Sequence, residues 1–134
     1  GEKMRKILVA YDGSEGSEKA FEKALSLLDP DGEIILLAVT PKATEKLDRN
    51  AYKETKKKAK QLISDKIKNF PNVRIRGIVK EGDAAEKIIE TASKRDCDLI
   101  VLGRKGISEI GSYLLGSVAD RVVKEAHKTV MLVK

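Results

Sequence analysis

Four of the chain's ten glycines, Gly103, Gly106, Gly111 and Gly116, fall between Leu102 and Arg121. Glycine loses more freedom on folding than any other residue. Such a density therefore marks a backbone that must take unusual angles or one that something approaches closely. Nine residues separate Gly106 from Gly116-Ser117, where a helical pattern begins. The first amides of a helix have no partners inside it and carry the positive end of its dipole. A phosphate accepts hydrogen bonds from those amides if the backbone is bare enough for its oxygens to reach. Gly116 supplies that bareness and the Ser117 hydroxyl adds a donor. Gly103 and Gly106 let the intervening loop curl over the same anion, and Arg104 and Lys105 bring positive charge. Turn-making alone is the competing explanation, and glycine spacing by itself does not separate the two.

Other residue types narrow the chemistry. There is no Gly-Lys-Ser/Thr and no Gly-x-Gly-x-x-Gly after the first strand, so neither a Walker loop nor the usual dinucleotide fingerprint is present. Neither His-x-Gly-His nor Ser-Gly-Gly-x-Asp-Ser occurs, which argues against a nucleotidyl transferase. Asp12, in Asp12-Gly13-Ser14, suits a turn or helix cap; beside a phosphate loop it also suits a ribose or metal contact. One carboxylate makes a thin metal site, so a cation there would depend mostly on phosphate oxygens and water. With a single histidine, His127, and a single cysteine, Cys97, a zinc site is not expected. His127 reads as a helix-end residue and Cys97 as a small, partly buried filler.

The 134 residues suit one domain, 1–134, and 41% hydrophobic content allows a real core. No signal peptide and no long apolar span is visible, so the cytoplasm is the expected place and a membrane is not an expected partner. The net charge is +6, and residues 51–70 account for most of it, with seven lysines against Glu54 and Asp65. That run reads as a solvated helix face. A nucleic-acid patch would more often interleave arginine and aromatics, and aromatics are 4% of the chain. Binding of an acidic partner through this helix stays open as an alternative function.

The elements that would position these residues alternate. Apolar runs at 6–11, 34–39, 98–102 and 130–133 read as buried strands, and 73–79 alternates as a more exposed one would. Between them come four helical stripes. Ala20, Phe21, Ala24, Leu25, Leu27 and Leu28 follow a Ser14 or Ser17 cap, and Asp29-Pro30-Asp31-Gly32 stops that helix. Tyr52, Ala59, Leu62, Ile63, Ile67 and Phe70 form the inner side of the basic helix. Ala85, Ile88, Ile89 and Ala92 follow Gly82-Asp83. The last stripe is Val118, Ala119, Val122, Val123 and Ala126, with Ser117 as N-cap and Asp120 completing a capping box. Five strands alternating with four helices imply an α/β fold: a parallel sheet covered on both faces, with right-handed crossovers. Ligands of such sheets bind beyond the carboxyl ends of the strands, where the chain order reverses. In an order 3-2-1-4-5, Asp12 and Gly103 would flank that point.

Gly103-x-x-Gly106, nine residues, then Gly116-Ser117 is similar to the ATP-binding signature of the universal stress protein family. Residues 7–25 resemble that family's first strand and helix, 98–106 its fourth strand and loop, and 116–134 its last helix and strand. The likeness covers nearly the whole chain except a variable region around 41–60. It implies a Rossmann-like five-stranded parallel sheet of order 3-2-1-4-5 and a homodimer through the last strand, 130–133. It implies a regulatory protein that binds ATP or another adenine nucleotide and acts on client proteins, with slow hydrolysis at most. Asp12 would lie near ribose and phosphates, with Mg²⁺ or Mn²⁺ there as its metal. Val39 would meet adenine through its backbone, and Ala10 would line the adenine side. Leu102, Gly103, Lys105 and Gly106 would follow ribose and phosphates, and Gly116, Ser117 and Val118 would hold the phosphates. Ala10, and Ala84 in Gly82-Asp83-Ala84, stand where many relatives carry proline.

Overall fold

The computed structural model describes residues 4–42, 49–104 and 116–134. β1 (Lys6–Ala10) leads into α1 (Glu15–Leu27), and β2 (Glu33–Thr40) is followed by α2 (Arg49–Lys68). Then come β3 (Arg74–Glu81), α3 (Ala84–Lys94), β4 (Leu99–Gly103), α4 (Gly116–Glu125) and β5 (Thr129–Val133). The strands form one sheet in the order β3-β2-β1-β4-β5, every neighbouring pair parallel, as expected.

The pleat sorts the strand residues into two cores. Ile7, Val9, Ile34, Leu36, Leu99 and Val101 face one way, toward Ala20, Phe21 and Ala24 of α1 and Ala59 and Ile63 of α2. Leu8, Ala10, Ile35, Leu37, Ile100 and Leu102 face the other way, toward Ala85, Ile88 and Ala92 of α3 and Ala119 and Val122 of α4. Strands buried on both faces need apolar residues at consecutive positions, which is why β1, β2 and β4 are unbroken apolar runs. Each large aliphatic side chain so buried stabilises the fold by roughly 1.5–3 kcal/mol. β3 and β5 are the sheet edges, and their residues are exposed or half-buried.

Helix starts follow local hydrogen bonding. Ser14 is the N-cap of α1, its Oγ accepting from the Ser17 N–H at 3.2 Å. Asp83 caps α3, accepting from the Glu86 N–H at 2.9 Å. The expected Ser117 cap does not form. Helical geometry already holds at Gly116, so Ser117 is the second residue of α4 and cannot act as its N-cap. A capping box needs its serine one residue outside the helix. Among the described residues, no helix is long and apolar enough to cross a membrane.

Two further expectations change. Cys97 is wholly buried, not partly, in the core between the sheet and α3 and α4. Lys66 leaves the solvated face of α2 and turns inward. Its Nζ lies 2.5 Å from Glu18 Oε2 and 4.7–5.6 Å from the ring centroids of Phe21, Phe70 and Tyr11. An ammonium can sit there because the ring faces are electron-rich and the carboxylate balances its charge.

Candidate functional site

β1 ends at Ala10, and Tyr11 continues the ladder by donating its N–H to Leu37 O at 2.8 Å. The chain then turns sharply. Gly13 has φ 82°, a left-handed value that a side chain would resist. The turn is held by Asp12: its Oδ1 accepts from the Ser14 N–H at 3.0 Å, and its own N–H donates to Ser17 Oγ at 3.3 Å. Ser17 Oγ donates in turn to Ser14 O at 3.0 Å. The capping role open to Asp12 thus falls to Ser14, and Asp12 is the turn residue, only 1% exposed. Order β3-β2-β1-β4-β5 makes β1 and β4 the strands between which the chain reverses direction. The buried Asp12 therefore stands at the switch point.

Four of the apolar candidates come together. Ala10, Val39 and Leu102 belong to one buried core cluster on the α3/α4 side of the sheet, and half-buried Val118 packs against it. They come from β1, β2, β4 and α4, so the carboxyl ends of three central strands and the start of one helix share an apolar floor. Gly116 opens α4, and Ser117 beside it is exposed. The N–H groups of the first turn of α4, Ser117 and Val118 among them, are those that a helix cannot satisfy internally. Lys105 and Gly106 lie outside the described residues, as does Gly111.

Gly103 has a packing reason of its own. A Cβ built there would stand 2.4 Å from the carbonyl carbon and oxygen of Gly16. The first turn of α1 thus rests directly on the end of β4, which pairs two glycines far apart in sequence. Arg104, the next residue, donates its N–H to Val133 O at 2.9 Å and ties β4 to the end of β5. Sequence reasoning missed Gly16. Its signal was a glycine in the first turn of a helix, where Ser14 already supplies the cap. Thr40 was missed too: it is buried beside Val39, and its carbonyl accepts from the Gly82 N–H at 2.9 Å.

The remaining titratable groups are structural. Glu86 N–H donating to the Asp83 carboxyl, and then the Arg121 guanidinium at 2.9 Å, hold that carboxyl below its ordinary range. Burial pushes the Cys97 thiol up to about 11, which makes it a poor nucleophile at neutral pH. His127 is exposed just beyond α4, where the helix-end reading put it. Among the described residues, no group of three or more His, Cys, Asp or Glu side chains gathers to hold a metal. A cation at Asp12 would need most of its ligands from elsewhere, as the single carboxylate already implied.

The fold and this site define a doubly wound α/β protein with an apolar floor and a buried carboxylate at its switch point. The universal stress protein family matches the chain over residues 3–134. A universal stress protein of Methanothermobacter thermautotrophicus is 35% identical over 144 aligned residues, covering 99% of this chain and 97% of its own. The solved structure of protein MJ0577 of Methanocaldococcus jannaschii is 27% identical with a TM-score of 0.75, over 99% of this chain and 97% of that one. A universal stress protein family member of Arabidopsis thaliana, solved with AMP bound, has a TM-score of 0.72 at 22% identity, over 96% of this chain and 90% of that one. The chain belongs to the universal stress protein family.

Proposed function

We propose that this chain is a regulatory protein that binds an adenine nucleotide, ATP in particular, as one domain over residues 1–134. The observation that carries this reading is the shared apolar floor of Ala10, Val39, Leu102 and Val118 beside buried Asp12 at the switch point. A planar base is apolar on its faces and polar on its edge. It suits such a floor, with the Val39 backbone meeting the edge. Asp12 accepts from a ribose hydroxyl. The amides of Ser117 and Val118, opened to approach by Gly116, take the phosphates. Gly103, Lys105 and Gly106 follow ribose and phosphates along the connecting loop. The Arabidopsis relative with AMP bound supports the choice of adenine.

Mg²⁺ or Mn²⁺ fits as a companion of the phosphates, with Asp12 as its protein ligand; bound there, it would neutralise phosphate charge. Asp12 Oδ1 is already committed to the Ser14 N–H, which favours holding a partner over abstracting a proton. Hydrolysis is accordingly slow at most. The protein works in the cytoplasm on client proteins. It does so as a homodimer in which two β5 edges cover each other, since Leu132 is 39% exposed on a strand that, among the described residues, pairs on one side only.

Thermal melting with ATP, AMP and GTP, each with and without Mg²⁺, tests the reading. Adenine nucleotides should raise the melting temperature more than GTP does, and Gly116→Val should remove the rise while leaving the far-ultraviolet spectrum unchanged. No stabilisation by any adenine nucleotide at millimolar concentration overturns it.

A further inference from the structure

The chain concentrates its excess charge along the seam between α2 and β3. Among the described residues β3 pairs only with β2, so the other side of Arg74–Glu81 keeps backbone donors and acceptors unpaired. A shallow, open cleft of about 450 Å³ lies along the outer side of the contact between this strand and α2, where Ile63 and Ile67 close onto Gly77, and Lys68 and Val79 also line it. At Lys60 and Ser64 it meets a second groove, of about 420 Å³, walled by Lys53, Lys56 and Lys57. Among the described residues none of these five lysines forms an ion pair, whereas Lys66 is folded in on Glu18.

The pleat of β3 divides its residues. Ile75, Gly77 and Val79 share the face toward α2, and exposed Arg74, Arg76 and Lys80 share the other. Nearby carboxylates are partly engaged. Glu33 lies 4.0 Å from Arg76, Asp65 accepts from Gln61 at 2.8 Å, and Glu81 accepts from the Tyr52 hydroxyl. The β3 edge thus has an apolar strand face under the α2 lysines on one side and the cations of Arg74, Arg76 and Lys80 on the other.

A second copy of the chain docked edge to edge would set like charges opposite one another, which is unfavourable. A nucleic acid would find no arginine along residues 51–68 and a single aromatic, Tyr52, whose hydroxyl is given to Glu81, and its phosphates gain nothing from Ile63, Ile67 and Val79. An extended polypeptide that alternates acidic and apolar residues satisfies every part. Its backbone pairs with the bare edge of β3 and its apolar side chains enter the cleft. Its carboxylates face Arg74, Arg76 and Lys80, while the α2 lysines steer it in. We propose that this seam is a docking groove for such a segment of another protein, added to the sheet as a sixth strand. The proposal is independent of nucleotide binding.

The probe is a fluorescein-labelled decapeptide of alternating Val and Glu, titrated with the full chain at low salt and followed by anisotropy. Saturable binding is expected, with shifts of the Arg74–Glu81 amides in a ¹⁵N-labelled sample. N-methylation of alternate peptide amides should weaken binding at least about tenfold, because the ladder cannot form. K53E/K57E/K60E, which changes only exposed positions, should weaken it about tenfold and flatten its salt dependence. Equal binding of the methylated peptide, tighter binding of a DNA duplex, amide shifts confined to other elements, or no binding at all overturns the proposal.

Discussion

Asp12 and Gly103 show how single residues serve the architecture before any ligand. Asp12 folds the chain away from β1, and Gly103 allows the backbone of α1 to rest on β4. Gly103→Ala puts a methyl 2.4 Å from Gly16 carbonyl atoms, which belong to rigid backbone and cannot swing aside. We expect a loss of about 1–3 kcal/mol in urea unfolding, even with no nucleotide present. Asp83 supplies a pH-dependent contribution. The Glu86 N–H and the Arg121 guanidinium keep its folded carboxyl below the ordinary value of 3.8. Its charge therefore stabilises the fold above that ordinary value, and the contribution is lost as pH falls toward and through the folded one. Asp83→Asn keeps a helix cap but removes the charge. Its melting temperature should fall below that of the parent at pH 7, and the gap should narrow as pH falls below 3.8.

At the scale of elements, α2 is held to α1 by an inward lysine as well as by Ala59 and Ile63. Lys66→Met keeps the chain length but leaves Glu18 without its cation. Because Glu18 stays about a third exposed, a loss of only ~1–2 kcal/mol is expected in urea unfolding, and most of it should vanish on a Glu18→Gln background. The two edges differ in how they are protected. β3 carries Arg74, Arg76 and Lys80, whereas β5 presents Val130, Met131, Leu132 and Val133. Charge on an edge discourages self-pairing and an apolar edge invites it. If the β5 edges pair as proposed, the parent protein should scatter as a dimer at micromolar concentration and Leu132→Glu as a monomer.

For the whole molecule, a nucleotide at the switch point would touch β1, β2, β4 and α4 together, so binding should be felt as global stability. A ligand at one hundred times its Kd adds about 2.7 kcal/mol, which for a chain of this size raises Tm by roughly 5–10 °C. The expected sign of a productive interaction is a rise that saturates with ATP concentration and is absent in Gly116→Val. The docking seam sits at the opposite edge of the sheet from β5. Peptide binding there should add only the peptide's own mass in light scattering, with no change of oligomeric state.

Much of this was legible in the order of residues. Unbroken apolar runs identify strands buried on both faces, because only such strands need every side chain apolar. Ser14 and Asp83 announce helix starts through bonds to residues three positions away. These are short-range quantities, set by periodicity and by groups close along the chain. What tertiary structure alone decided are meetings between distant segments. Gly103 is small because Gly16 lies against it, and Lys66 is half-buried because Glu18 and three rings draw it inward. The α2–β3 seam becomes a cationic groove because β3 ends the sheet. Local patterns cannot encode which helix lies on which strand, since that depends on how all the crossovers pack around one sheet.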